Sequence, residues 1–449
     1  MKRISLAGIY EWGLLAVLLL IVVHAPLTVA LGSVWPEQAT ILKAWKEVLL
    51  AVLAVGAVGL LTRRKLWHPV LRSSPLVLLA LTFIDIHLLL AVLRGGISEP
   101  VVAGLIIDLR FVVMFLLTYV LVLVRPAALM NVLKTIGAGA VVVLGFGLLQ
   151  ITVLPDDALS RLGYSTETIT PYTTIDRNPD FVRINSTLRG PNPLGALAVV
   201  YGTLGLAYLL KRYATASAAR RYIAIGGLAA TVAVLFASFS RSAYLGLVAG
   251  VAAVAVGSYR LSKRLLLGTA AGVLVVAIAL GAVSTTDWFS NVILHEDPES
   301  TVIAKSNDGH LASLGDGFGR LLTQPFGAGV GSTGSATLYD DDTSNDTIIE
   351  NYYFFVAHES GWLGLATFLG LFVMVMMELW RRRAGWPALG TFGAGIGLGL
   401  IGLLLPVWAD ETVALIWWGL AGALIAPISG IMGRKHATGT RKQKTKGTA

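Results

Sequence analysis

Apolar residues along this chain collect into twelve stretches of spanning length, at about 12–31, 41–61, 75–93, 104–124, 132–153, 191–210, 221–239, 242–257, 265–284, 361–379, 388–405 and 412–431. Runs of this length with few charges predict helices that cross a bilayer. An even number of crossings puts both termini on one side. Polar residues gather in short connections and in two long loops, 154–190 and 285–360, which four crossings separate and which therefore share the opposite side. The pattern predicts an all-α polytopic membrane protein of about twelve transmembrane helices with two long extracytoplasmic loops. Its parts are five N-terminal helices (1–153), the first loop (154–190), helices six to nine (191–284), the larger loop (285–360), helices ten to twelve (361–431) and a basic tail (432–449). No internal repeat is evident, which weighs against a carrier built from inverted repeats.

Composition agrees with this reading. Of 449 residues, 55% are apolar and 14% charged, and the mean hydropathy is +0.74, too apolar for a soluble globule. Met1-Lys2-Arg3 leads into an apolar run through Leu31 without a small-residue cleavage site, so the first crossing is expected to stay. The absence of cysteine excludes disulfides and thiolate chemistry. The net charge of +9 is sorted by side: 24 of the 35 Lys and Arg residues fall on the side of the termini. This is the asymmetry of cytoplasmic loops, and it explains the basic tail without nucleic acid. The opposite side holds most of the acidic residues. Arginines stranded there are candidates for chemistry.

Three segments on that side stand out. Arg183-Ile-Asn-Ser-Thr-Leu-Arg189-Gly-Pro-Asn192-Pro-Leu-Gly195 ends where a helix begins. Pro191 and Pro193 suit its first turn, Asn192 can cap it and Gly190 permits close backbone approach, so the two arginines flank a seat for a phosphate; the alternative is a capped helix whose arginines contact lipid head groups. Ser238-Phe-Ser-Arg241-Ser-Ala-Tyr244 forms a tight hairpin between two crossings, and its arginine matches a diphosphate. In the second loop, Leu311, Leu314, Phe318 and Leu321 recur at helical spacing, as in an amphipathic helix lying on the membrane, which brings His310 and Arg320 to head-group level. A glycine-rich turn, Pro325 to Gly331, follows.

Glu350-Asn351-Tyr352-Tyr353 and His358-Glu359-Ser-Gly-Trp-Leu-Gly364 then lead into crossing ten. A carboxylate beside aromatic residues at the mouth of a bundle suits a general base for a sugar hydroxyl; an ion pair between Glu350 and one of the arginines is the alternative. The run Asp340-Asp341-Asp342 with Asp346 lacks the alternation of a calcium loop and reads as a solvated loop. Within the membrane, Asp85, His87, Asp108 and Arg110 are expected to pair structurally, the alternative being that they line a path for ions.

Taken in order, Arg189-Gly-Pro-Asn-Pro-Leu-Gly, Ser-Arg241-Ser-Ala, Pro325-Phe-Gly-Ala-Gly-Val-Gly, and Glu350-Asn-Tyr-Tyr with Glu359-Ser-Gly-Trp-Leu-Gly resemble the O-antigen ligase/polymerase superfamily over roughly residues 180–380. The resemblance implies a GT-C-like helical membrane glycosyltransferase at the outer face of the bacterial inner membrane. It would be metal-independent and inverting, with no cofactor. The implied donor is a glycan on undecaprenyl diphosphate, and the acceptor is either a second glycan or lipid A-core, with membrane lipids around the protein and no nucleic acid. Diphosphate binding then falls to Arg183, Arg189, Arg241 and Arg320. Catalysis falls to Glu350 or His310, with Asn192, Asn351, Tyr353 and His358 as further substrate-site residues. Ligases of this type carry a histidine before the asparagine of the last motif. Glu350 stands there instead, so a polymerase is as well supported as a ligase, and His310 and His358 remain alternative bases. A flippase for lipid-linked sugars is the rival class; it requires a polar route through the bilayer, whereas these candidates gather on one face.

Overall fold

The computed structural model describes residues 5–94, 96–175, 178–258, 306–340 and 347–427. The predicted crossing at 265–284, the start of the second loop at 285–305, Asp176, Asp341, Asp342, Asp346 and the basic tail lie outside the described residues, as do the side chains of His310 and Leu311. Among the described residues, nine helical segments are long and apolar enough to cross a membrane, and two shorter apolar helices complete the C-terminal part. The chain is thus an all-α multi-pass membrane protein.

The helices in order are α1 (Leu6–Leu20), α2 (His24–Val34), α3 (Ala39–Lys43), α4 (Trp45–Arg63), α5 (Trp67–Ser73), α6 (Pro75–Leu93), α7 (Glu99–Val124), α8 (Ala128–Thr152), α9 (Pro191–Arg212), α10 (Ala218–Ala237), α11 (Arg241–Ser258), α12 (Ser306–Thr323), α13 (Tyr352–Arg381), α14 (Trp386–Ile401) and α15 (Glu411–Ile425). The first crossing is broken between α1 and α2 by a 3-10 turn, Ile21–Val23. Pro26 has no N–H to give the carbonyl of Val22 four residues back, and that carbonyl accepts the Thr187 hydroxyl instead, at 2.5 Å.

Two helix crossings set the site. α11 lies against α9 and α14, and its Gly246 and Gly250 meet Gly397 and Gly393. A Cβ at Gly250 would stand 2.9 Å from the Gly393 carbonyl oxygen, and one at Gly397 would fall closer still to that of Gly246. Such small-residue pairs let two backbones touch, which brings Arg241, the first residue of α11, toward the C-terminal end of α14. The second crossing is made by α13, which is kinked at Gly361 (φ 68°, ψ −169°). The sequence predicts this crossing from 361; the helix in fact begins nine residues earlier, at Tyr352.

Interhelix bonds tie the two ends of the bundle separately. At the basic end, Arg64 donates to Val124 O (2.6 Å), Arg125 pairs with Glu11 (2.9 Å), Lys211 donates to Ser258 O (3.2 Å) and Arg382 donates to Leu424 O (2.6 Å). At the other end, Tyr352 N donates to Gly402 O (2.8 Å) and Arg183 Nε to Ser238 O (2.9 Å). The described parts of both long loops are at this second end.

Candidate active site

The first long loop folds into an antiparallel pair, β1 (Thr173–Ile175) and β2 (Asn178–Arg183). Beyond it the chain is stitched to the bundle. Ile184 N donates to Ala237 O (3.2 Å), the Ser186 hydroxyl to Val143 O (2.6 Å) and Ser186 N to Gln150 Oε1 (2.6 Å). Asn185 to Leu188 are buried, and Pro191 opens α9. Gly190, the N-cap, is extended (φ −178°) and has no side-chain cap bond. Its backbone conformation therefore does not require glycine, and Asn192 does not cap the helix as expected. Asn192 instead accepts through Oδ1 from Arg183 Nη2 at 2.7 Å.

The α10–α11 corner is the other half of this arrangement. Phe239 takes φ +46°, a strained value for a bulky residue, and is held by ring contacts with Phe181 and Phe236 at 6.3 and 6.1 Å. Tyr244 braces the corner by donating to Phe236 O (2.8 Å). Burial, with a smaller part from the Arg241 charge opposed by Tyr244, lowers the Arg183 guanidinium to about 10. Arg183 and Asn192, from one segment the sequence selects, and Arg241, from another, are thus brought together. Two cations at one partly buried corner repel each other, and an anion with two negative groups relieves that repulsion.

Arg189 is exposed and faces Asp410, the N-cap of α15, whose Oδ1 accepts from Val413 N at 3.0 Å. Behind Asp410 is a buried charge cluster. Glu411 accepts from Lys46 (2.9 Å), His24 (3.1 Å) and Arg110 (3.4 Å), Lys46 also pairs with Glu47 (3.1 Å), and Arg110 donates to Ala409 O. Arg110 therefore pairs with Glu411 and not with its intramembrane neighbours. Of those, His87 and Asp108 approach to 3.8 Å, while Asp85 is exposed on α6 without a hydrogen bond or ion pair among the described residues.

The second cluster is built on α12 and α13. Arg320 pairs with Asp316 at 2.7 Å, and the buried His358 shares a hydrogen bond with Gln324 (3.1 Å). Glu350 N donates to Ser313 Oγ (3.1 Å). Asn351 caps α13 by accepting from Tyr353 N and Phe354 N (2.9 and 3.1 Å), and its Nδ2 donates to Leu403 O (2.9 Å). Tyr353 donates to Gly399 O at 2.8 Å. The segment 402–410 thus carries the Glu350–Tyr353 stretch at one end and Asp410, facing Arg189, at the other.

The glycine-rich turn locks this cluster to the bundle. Ala328 N donates to His358 O (2.5 Å), Gly329 N to Glu359 O (3.2 Å) and Gly331 N to Glu359 Oε1 (3.1 Å). The turn runs between the α13 kink and the start of α7. A Cβ at Gly361 would lie 2.5 Å from Pro325 O, and one at Gly331 (φ +83°) would collide with Pro100 O.

Residues 226–369, from α10 to the middle of α13, match the family model described as O-antigen ligase. The chain carries an O-antigen ligase domain. That match, over residues 226–369 of the 449, supports membership of the O-antigen ligase/polymerase superfamily. A search of curated proteins gives no match. Within the O-antigen ligase domain lie Arg241, Arg320, Glu350, Asn351, Tyr353 and His358; Arg183, Arg189, Asn192 and Asp410 reach the same end of the bundle from outside it. The Asp410–Glu411 pair is absent from the sequence reading. Its one sequence signal is two acids set between apolar stretches, and their partners on α2, α4 and α7 are hundreds of residues away.

Proposed function

We propose that this protein is a glycosyltransferase that moves a glycan from an undecaprenyl diphosphate-linked donor to an acceptor hydroxyl at the outer face of the inner membrane. The observation that carries the reading is the meeting of Arg183, Arg241 and Asn192 at one corner, on the same end of the bundle as the Glu350–Asn351 stretch. The family match supports transfer of a lipid-linked glycan in general terms.

In this reading, Arg183 and Arg241 hold the diphosphate, and Arg189 and Arg320 add positive charge around it. The acceptor oxygen attacks the anomeric carbon on the face opposite the diphosphate, a new glycosidic bond forms, and the bond to the diphosphate oxygen breaks with inversion. Undecaprenyl diphosphate leaves, its charge met by the arginines. The hydroxyl proton passes to Glu350 as general base. No metal or cofactor takes part. Both termini are cytoplasmic, following the positive-inside sorting.

Titration of purified protein with undecaprenyl diphosphate tests the carrying observation. Arg241→Ala is expected to weaken binding by at least about tenfold, the scale of a hydrogen bond to a charged group, while the protein stays monodisperse. Unchanged affinity contradicts the assignment.

A further inference from the structure

At the end of the bundle opposite the candidate site, a cleft of about 630 Å³ opens between the start of α8, the C-terminal end of α9 and the connection from α13 to α14. Its walls are apolar, with Leu129, Met130, Leu133 and Trp386 among them, and Lys211 and Arg212 stand in the same cleft. None of the residues lining it is acidic. Lys211 is tied to Ser258 O at 3.2 Å, whereas the exposed Arg212 makes no side-chain hydrogen bond or ion pair among the described residues. Trp386 is fixed edge-on against Tyr208 at 5.3 Å, so one wall of the cleft is rigid.

We infer that this cleft is a binding site for an anionic phospholipid, with its phosphate on Lys211 and Arg212 and the upper part of its acyl chains against Leu129, Met130, Leu133 and Trp386. Three observations converge on this class of ligand. The cleft opens in a multi-pass membrane protein, where phospholipid is the surrounding solvent. A cationic patch beside an apolar wall matches the join of head group and chains. The chain's own tail carries Arg434, Lys435, Arg441, Lys442, Lys444 and Lys446, so charge excludes it as the occupant. The inference depends on the membrane character of the fold and is independent of the proposed reaction.

The test is native mass spectrometry of the detergent-purified full chain titrated with phosphatidylglycerol, phosphatidylcholine or inorganic phosphate. The wild type is expected to retain one phosphatidylglycerol at least about tenfold more tightly than phosphatidylcholine. Arg212→Gln should weaken that binding by about fivefold, the loss of one cation near a lipid surface. Met130→Trp fills the cleft with both cations in place and should remove the site. Equal binding of the two lipids overturns the inference, as does wild-type binding by both variants. Displacement of the lipid by phosphate at comparable concentration also overturns it, since the cleft is then a site for free anions.

Discussion

Arg183 at the end of β2 and Asn192 in the first turn of α9 are joined by a 2.7 Å hydrogen bond from guanidinium to amide oxygen. With its Nε on Ser238 O, Arg183 is oriented by partners on two elements before any ligand arrives. The Asn192→Ala variant leaves one arm of the guanidinium without its acceptor. Donor affinity is expected to fall by about tenfold, in keeping with a hydrogen bond to a charged group, with a smaller change in the turnover of bound donor. Donor titration alongside single-turnover transfer separates the two effects.

Glu350→Gln keeps the shape of the side chain and removes the carboxylate. Donor binding is expected to persist while transfer falls by about 10²- to 10⁴-fold, the contribution of a well-placed general base. A twofold effect removes Glu350 from the base role and directs attention to His358 or His310.

Glu411 is the shared acceptor of Lys46, His24 and Arg110. In Glu411→Ala these cations lose that acceptor, and breaking a buried pair in this way costs about 3–5 kcal/mol. A lowered midpoint of thermal unfolding in detergent is expected. An unchanged midpoint contradicts the bracing role of the cluster.

Burial raises the Asp410 carboxyl above its ordinary value, against the lowering effects of the Val413 N–H, Arg189 and Arg110. Between the unfolded value and the raised folded one, the native state holds a proton that the unfolded state has released. Stability therefore falls as pH rises through that window. Asn caps a helix as well as Asp and does not ionise. Asp410→Asn is expected to match the wild type in unfolding temperature at acid pH and to exceed it above the window. A deficit at neutral pH means that attraction to Arg189 outweighs the cost of burial.

Sequence made the crossings legible because each apolar run is long enough to stand alone; it singled out Arg241 because charge between apolar helices is costly wherever it occurs, and Arg183 and Asn192 because they precede or open a helix whose start suits a phosphate. It misassigned Asn192 as a cap, since capping is a local inference and the Arg183 contact depends on how the loop returns to α9. It began crossing ten at 361, because a helix interrupted by a left-handed glycine gives the same signal as a helix that starts there. The Glu411 cluster stayed hidden because its members come from four helices, and nothing in the order of residues pairs Lys46 with Glu411. The glycine-rich turn is legible from its composition, but its partners at Pro100 and Gly361 follow only from the fold.

Incubation of the purified protein with an undecaprenyl diphosphate-linked glycan, alone or with lipid A-core, followed by separation of the products, distinguishes glycan transfer from transport. Release of undecaprenyl diphosphate with glycan transfer is expected. A ladder of longer lipid-linked chains identifies a polymerase, and a single transfer to the core lipid identifies a ligase. Movement of the lipid-linked glycan across reconstituted vesicles with no new glycosidic bond contradicts a transferase and identifies a flippase.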